Sequence, residues 1–290
     1  MAPIESPMKV TNESESFSDA RGLSISIVVF HPDVVLLERT LRTLCDACAR
    51  MRALSPDVPV DVFIVDNGGL ELGAGSIRQL AGHDIEYEVI AGHGNVGYGR
   101  GHNLAIARAA SRLHLILNPD VELDPQALVA AAAFFDAHPE AGLLAPRIDE
   151  DSGELQYLCR RYPSLLDLLV RGFAPASLRR CMARRLAHYE MRDVIDGTSV
   201  VWDPPIVSGC FMLFRTALLK RLGGFDPRYF LYFEDYDLSV RAHELTRVAY
   251  VPAVRVVHHG GGASRKGMRH IRFFGVSAFR FFNRFGWRWW

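Results

Sequence analysis

No stretch of this 290-residue chain approaches the ~18 consecutive apolar residues of a membrane-spanning helix. The N-terminus lacks the apolar core of a secretory signal peptide. Cysteine is scarce: five in all, an odd number at irregular spacing. That argues against a disulfide framework and fits a reducing compartment. Cys45 and Cys48 form a CxxC, LCDAC, but no second Cys/His pair stands at metal-ligand spacing, so both read as ordinary helix residues. Net charge is absent too, since Lys+Arg and Asp+Glu each total 33, and the global balance says nothing of partners. One segment lacks acids altogether: from Leu245 to Trp290 there are nine Lys/Arg and no Asp or Glu. What is plentiful is hydrophobic content, 49 %, enough for a sizeable core in one large domain or two small ones.

Residues 1–22 are polar, rich in Ser and Glu, and expected to be disordered. SISIVVF (24–30) then reads as a buried parallel strand, and VVLLERTLRTLCDACARM (34–51) has helical periodicity. Strands VDVFIV (60–65) and IEYEVI (85–90) follow, separated by a DNGG turn. A glycine-rich loop, AGHGNVGYGRGHN (91–103), leads into helix LAIARAASR (104–112). Next come strand LHLIL (113–117), NPD (118–120), helix 126–138 and strand GLLAP (142–146). This β-α alternation predicts a doubly wound α/β sheet, with ligands bound beyond the carboxyl ends of the strands. Residues 151–205 break the rhythm and read as an insertion of the kind that shapes a specificity pocket; 164–191 looks helical, basic and interrupted between Gly172 and Pro175. The pattern resumes with strand 208–214, helix 215–222, the turn GGFDP (223–227), and strands 247–252 and 255–264.

Polar residues gather at the strand ends. Asp66 and Asn67 could cap a turn or contact a nucleobase. Gly92, Gly94, Gly97, Gly99 and Gly101 permit close approach of a ligand, and Asn95 and Asn103 could bond a base or sugar. The loop comes too late in the chain, and without a following acid, for a dinucleotide fingerprint. Asp120 could cap a helix or ligate Mg²⁺ or Mn²⁺. His258 and His259 precede three glycines and could supply a metal or phosphate contact. In FLYFEDYDLSVR (230–241), Glu234, Asp235 and Asp237 could all be the acidic first turn of a helix whose Arg241 and Glu244 face water. One of them could instead be a base.

The order of VDNGG, GNVGYGRGHN, LNPDVEL, SGCFMLFRTALLKRLGGFDPRYFLYFEDYDLSVR and VVHHGGGAS resembles the family-2 glycosyltransferases of GT-A fold, and within them the bacterial rhamnosyltransferases of cell-envelope polysaccharide synthesis. The resemblance spans about Ser24 to Ser264. It implies a GT-A domain over 23–264, a mixed sheet, with 151–205 as an acceptor-side insertion. It further implies that Asp66 and Asn67 contact the nucleobase, and that Asn95, Gly97, Gly99, Asn103, Asn118 and Asp120 surround the nucleotide-sugar. Asn118-Pro119-Asp120 stands where many relatives have DxD, keeping only the last acid; Asp120, with His258 or His259, would hold the metal. Asp235 matches the catalytic base, and Glu234 would position it or the acceptor. Asp237 is left to cap the helix, and Asp226 of the GGFD turn would frame the acceptor. An inverting transfer needs one carboxylate to take the acceptor proton and a cation to stabilise the leaving diphosphate, which suits Asp235 and Asp120.

The implied donor is dTDP-L-rhamnose, or another UDP- or dTDP-hexose, and the implied acceptor a glycan on a polyprenyl diphosphate, with Arg160 and Arg161 as candidate phosphate contacts. A catalytically silent sugar-nucleotide-binding subunit is the reading from another class. The tail, 265–290, sets Arg265, Arg269, Arg272, Arg280, Arg284 and Arg288 on one arc of a helix, with Phe274, Phe281, Phe282, Phe285 and Trp289 largely opposite. Such a helix suits an anionic membrane surface, or packing on the domain or a partner subunit. The expected location is the inner face of the cell membrane, on the cytoplasmic side. A homodimer is compatible with the sequence, and nothing resembles a nucleic-acid-binding module.

Overall fold

The computed structural model describes residues 21–70, 80–83, 85–260 and 267–290. The tail read as disordered therefore lies, up to residue 20, outside the described residues, as do Arg265 and the glycines after Gly260.

Among the described residues, nine strands form one mixed sheet. β1 (Leu23–Val29) pairs in parallel with β2 (Val60–Asp66) and β4 (Leu113–Leu117), and β2 pairs in parallel with β3 (Glu86–Ile90). β8 (Phe211–Arg215) runs antiparallel between β4 and β6 (Ala141–Asp149). β9 (Arg247–His258) lies parallel to β6 and antiparallel to the short β5 (Val121–Leu123) and β7 (Val201–Trp202). Residues 261–264 lie outside the described residues, and the strand segments foreseen at 247–252 and 255–264 join in one strand that ends at His258. Its register against β6 jumps from Val251 to Arg255, so Pro252, which has no N–H to give, sits in a bulge.

Chain order reverses between β1 and β4, placing the ends of β1, β2 and β4 around one crevice. α1 (Val34–Leu54) and α3 (Ala127–Ala137) cover one face through Leu37, Leu41, Leu44 and Phe135, with Cys45 and Cys48 buried as plain helix residues. α2 covers the other, but it spans Tyr98–Arg108 and so begins inside the glycine stretch. Its glycines serve packing: a Cβ on Gly99 would fall 2.8 Å from Phe225, and one on Gly101 2.9 Å from Val28. Beneath α2 lies a polar seam that an apolar reading of β1 passes over. Ser24 and Ser26 bond the buried His114 at 2.7 and 2.9 Å, and Ser26 also bonds His102 at 2.7 Å.

The insertion carries α4 (Leu165–Phe173), α5 (Ala176–Cys181) and α6 (Ala183–Tyr189), broken where Pro175 was expected to break it. Paired main-chain bonds between Arg160 and Ile206 close its base. After α7 (Thr216–Arg221) and α8 (Glu234–Ala242), the chain ends in α9 (Met268–Phe285). Here the structure revises the free aromatic face. Phe281 and Phe282 are fully buried in a third core cluster with Leu168, Ile206, Tyr229 and Phe233. Beyond α9, the carbonyls of Arg288 and Trp289 accept from Leu165 and Leu166 N–H at 2.8 and 3.2 Å, and Ser164 Oγ accepts from Asp167 N–H. The orphan amides of α4's first turn are thus satisfied partly by the last residues of the sequence.

Candidate active site

Tyr232 and Phe233 precede α8 with φ of 70° and 64°. Such left-handed conformations cost non-glycine residues roughly 1–3 kcal/mol each and persist only where packing enforces them. Phe233 is locked into the third cluster, and Tyr232 Oη bonds His270 Nδ1 of α9 at 2.8 Å. The strained turn sets Glu234 and Asp235 on α8's first turn. Asp235 Oδ2 accepts from Gly209 N–H at 3.0 Å and Oδ1 from Tyr236 N–H at 2.9 Å. Burial pushes the Asp235 carboxyl up, against the pull of those hydrogen bonds. Glu234 is buried with Oε2 unpartnered, and burial together with the Asp235 charge pushes it up to about 8. Burial and mutual repulsion thus work against both carboxyls of the pair being charged at once.

Tyr98 ties the two sides of the crevice together, and the sequence reading missed it. Its hydroxyl donates to Gly209 O at 2.6 Å. Burial raises its pKa well above the usual value, and Glu234, Asp235 and Asp120 all add to the rise, so the three acids share one neighbourhood. A lone tyrosine inside GNVGYGRG was the available signal.

Asp120 leaves β4 through the Asn118-Pro119 turn, which Thr40 of α1 clamps by donating to Pro119 O and accepting from Val121 N–H. Its Oδ1 is buried without a hydrogen-bond partner and stands 3.5 Å from His258 Nε2. Burial works to raise this carboxyl, but the neighbouring His258 imidazole, helped by the local backbone and Asn118, outweighs it and holds it below its usual value. A Cβ on Gly260 would fall 2.5 Å from both Asp120 Oδ2 and His258 Nε2, so only glycine leaves the space over the pair open. His259 turns the other way, to Glu122 at 2.8 Å and Asp151 at 2.7 Å, and does not join Asp120. Among the described residues no three His, Cys, Asp or Glu side chains gather around a metal position. Two protein ligands with an orphaned carboxylate oxygen still fit Mg²⁺ or Mn²⁺, which take much of their coordination from water and substrate phosphates.

Several other sequence expectations meet a structural partner instead. Asn103 is engaged on both atoms by Phe225, donating to its carbonyl at 2.8 Å and accepting from its amide at 2.9 Å, so it pins α2 to the GGFDP turn. Asn67 is buried and joins β2 to the glycine stretch through Gly97 O and His93. Asn95 accepts from Gly97 N–H, and Asp66 from Gly68 N–H, each closing its own turn. Gly97 itself has room for no Cβ, which would fall 2.4 Å from Phe230 O. Arg161 points to Asp193, away from the crevice, whereas Arg160 is buried, lies over the Tyr189 ring and lowers the pKa of Asp235. Asp226 is taken by Arg228 and Arg284. Asp237 is no cap: fully buried, it pairs with Arg241 at 2.5 Å and Arg284 at 2.8 Å. Arg241 accordingly turns inward, while Glu244 faces solvent as expected.

A cavity of about 1070 Å³ extends from Asn118, Asp120, Ser208 and His258 to α4–α6 and the first turns of α9. The profile of the family described as "Glycosyltransferase like family 2" matches residues 20–269. The chain belongs to that family. Among curated relatives, this glycosyltransferase is 29 % identical over 238 residues to the N-acetylglucosaminyl-diphospho-decaprenol L-rhamnosyltransferase of Mycobacterium tuberculosis (strain CDC 1551 / Oshkosh), covering 77 % of this chain and 71 % of that one. It is 27 % identical over 218 residues to the rhamnosyltransferase WbbL of Escherichia coli (strain K12), covering 72 % and 78 %. Among solved structures, S. aureus TarS matches with a TM-score of 0.54 at 17 % identity, over 90 % of this chain. The chain spans only 40 % of that TarS chain. The mannosyltransferase PcManGT from Pyrobaculum calidifontis, in complex with GDP-Man and Mn²⁺, gives 0.55 at 16 % identity over 91 % of this chain and 65 % of that one. These likenesses give the fold, a GT-A-like mixed sheet.

Proposed function

We propose that this glycosyltransferase transfers L-rhamnose, with inversion, from dTDP-L-rhamnose to a hydroxyl of a lipid-linked glycan, and that Asp235 is its general base. The observation that carries the reading is the grouping around Tyr98: Asp235, held by the Gly209 and Tyr236 amides, shares one neighbourhood with a second acid site at Asp120. Asp235 takes the proton from the acceptor hydroxyl as its oxygen attacks the anomeric carbon, and the bond to the diphosphate breaks with its electron pair leaving on phosphate. Asp120 and His258 would hold Mg²⁺ or Mn²⁺, which supplies positive charge to the leaving diphosphate. Mn²⁺ accompanies the GT-A-like neighbours GalNAc-T7 and PcManGT. The choice of rhamnose is supported by the names of both curated relatives, and that of a diphosphate-linked acceptor by the name of the mycobacterial one. The insertion 151–205 is the acceptor side.

No helix among the described residues is long and apolar enough to cross a membrane. Contact with a membrane surface falls instead to the outer stripe of α9. Met268, Arg272, Val276 and Phe279 are all exposed there and follow one another at helical spacing.

Asp235→Asn is expected to abolish transfer while dTDP still raises the melting temperature as in the parent chain; lost nucleotide binding would count against the base role. Asp120→Ala should weaken the shifts given by dTDP and Mn²⁺ together. A parent chain stabilised by UDP-sugars but not by dTDP-rhamnose would overturn the donor.

A further inference from the structure

The wall of the cavity formed by residues 171–192 is cationic, and nothing in the transfer chemistry just described uses it. Arg171, Arg179, Arg180 and Arg192 line it. Glu190 engages two of them, Arg171 at 3.4 Å and Arg192 at 2.7 Å. Arg179 and Arg180 pair with no acid among the described residues. Arg179 and Arg180 are solvent-exposed, so water screens their repulsion in part, and a bound anion would relieve it further. Between these arginines and Asp120 the lining is apolar, with Leu168, Phe173, Ile271 and Phe274, and both Phe173 and Ile271 reach the surface. The recess therefore offers guanidinium groups for a phosphate beside an apolar wall that opens outward, and a bare oligosaccharide would need neither.

We propose that Arg179 and Arg180 bind the diphosphate of the acceptor, and that the wall from Phe274 to Phe173 takes the first carbons of the lipid attached to it. The inference rests on the reading of the acceptor as lipid-linked. It moves the phosphate contact from Arg160, buried beside Tyr189, and Arg161, paired to Asp193, to a neighbouring helix. Guanidinium groups suit the role because each can present two parallel donors to phosphate oxygens.

Diphosphate is also part of the donor, so the test separates the two sources. Binding of farnesyl diphosphate and of dTDP with Mn²⁺ is measured by titration calorimetry on the full chain, the double variant Arg179→Ala/Arg180→Ala, and a control, Arg184→Ala, at an exposed arginine outside the cavity. Arg179 and Arg180 are solvent-exposed, and unchanged circular dichroism checks that the double variant is folded. The expected result is a loss of tenfold or more in affinity for farnesyl diphosphate in the double variant alone, with dTDP binding unchanged. Inorganic pyrophosphate should bind the parent chain more weakly than farnesyl diphosphate, because it leaves the apolar wall empty. Equal binding of farnesyl diphosphate to all three proteins, or none to the parent, overturns the inference. A loss of dTDP affinity in the double variant also overturns it, by giving the arginines to the donor. Failure of the parent to bind any nucleotide would be a different result, overturning the transferase reading itself.

Discussion

At Glu234 a buried carboxyl with a bare oxygen meets the carboxyl of Asp235, and the consequence can be read in stability as well as rate. Its folded-state pKa, about 8, lies above the ordinary value. The contribution is therefore fully present below the unfolded pKa of about 4.5 and is lost as pH rises through about 8. Glu234→Gln, always neutral, should unfold at the same urea concentration as the parent near pH 4 and at a higher one near pH 9. The activity of the parent should show an acid limb in kcat/KM displaced above the usual aspartate range of about 3.9, because burial raises Asp235. Both acids were legible in FLYFEDYD from their chemistry. Their separate roles came from the family resemblance alone, and the contacts at Gly209 and Tyr98 that surround them are too far off in sequence to be read there. Asp237 misled for the same reason: an acid in a first helical turn looks like a cap until its partners, Arg241 and Arg284, come into view.

Helix α8 is held less by its propensity than by what Arg241 gathers. That guanidinium bonds Asp237, Leu222 O and Gly224 O, fastening α8 to the GGFDP turn. Arg241→Met leaves the buried Asp237 with Arg284 alone and two carbonyls without their donor, so it should cost about 3 kcal/mol in urea unfolding. Arg161→Met, which breaks an exposed pair with Asp193, should leave the midpoint nearly unchanged. The element order of the sheet was readable from periodicity, as were the breaks in the insertion at Pro175. The start of α2 was not: glycines predict a loop locally, and only the close approach of Phe225 and Val28 explains a helix there. β5 and β7, three and two residues long, carry too little pattern to be seen without their partner β9.

Across the whole molecule, the third core cluster fuses α9 to the catalytic half and to α4 of the insertion. The amphipathic pattern of 265–290 was plain in the sequence; which face would be covered was not, because packing on the domain and a membrane surface ask for the same aromatics. Phe282→Ala is expected to destabilise the whole fold by about 3–5 kcal/mol in thermal or urea unfolding, as for a fully buried aromatic, with no separate loss of the tail. The first turn of α4 adds a constraint in time. The carbonyls that receive the Leu165 and Leu166 amides belong to Arg288 and Trp289, made about 120 residues later. At a synthesis rate of about 5–20 residues per second, those two amides wait roughly 6–25 s for their acceptors, while the local Ser164–Asp167 capping box can form at once. Through that interval Leu168 also lacks Phe281 and Phe282, so the nascent insertion is a natural client for whatever shields apolar surface during translation.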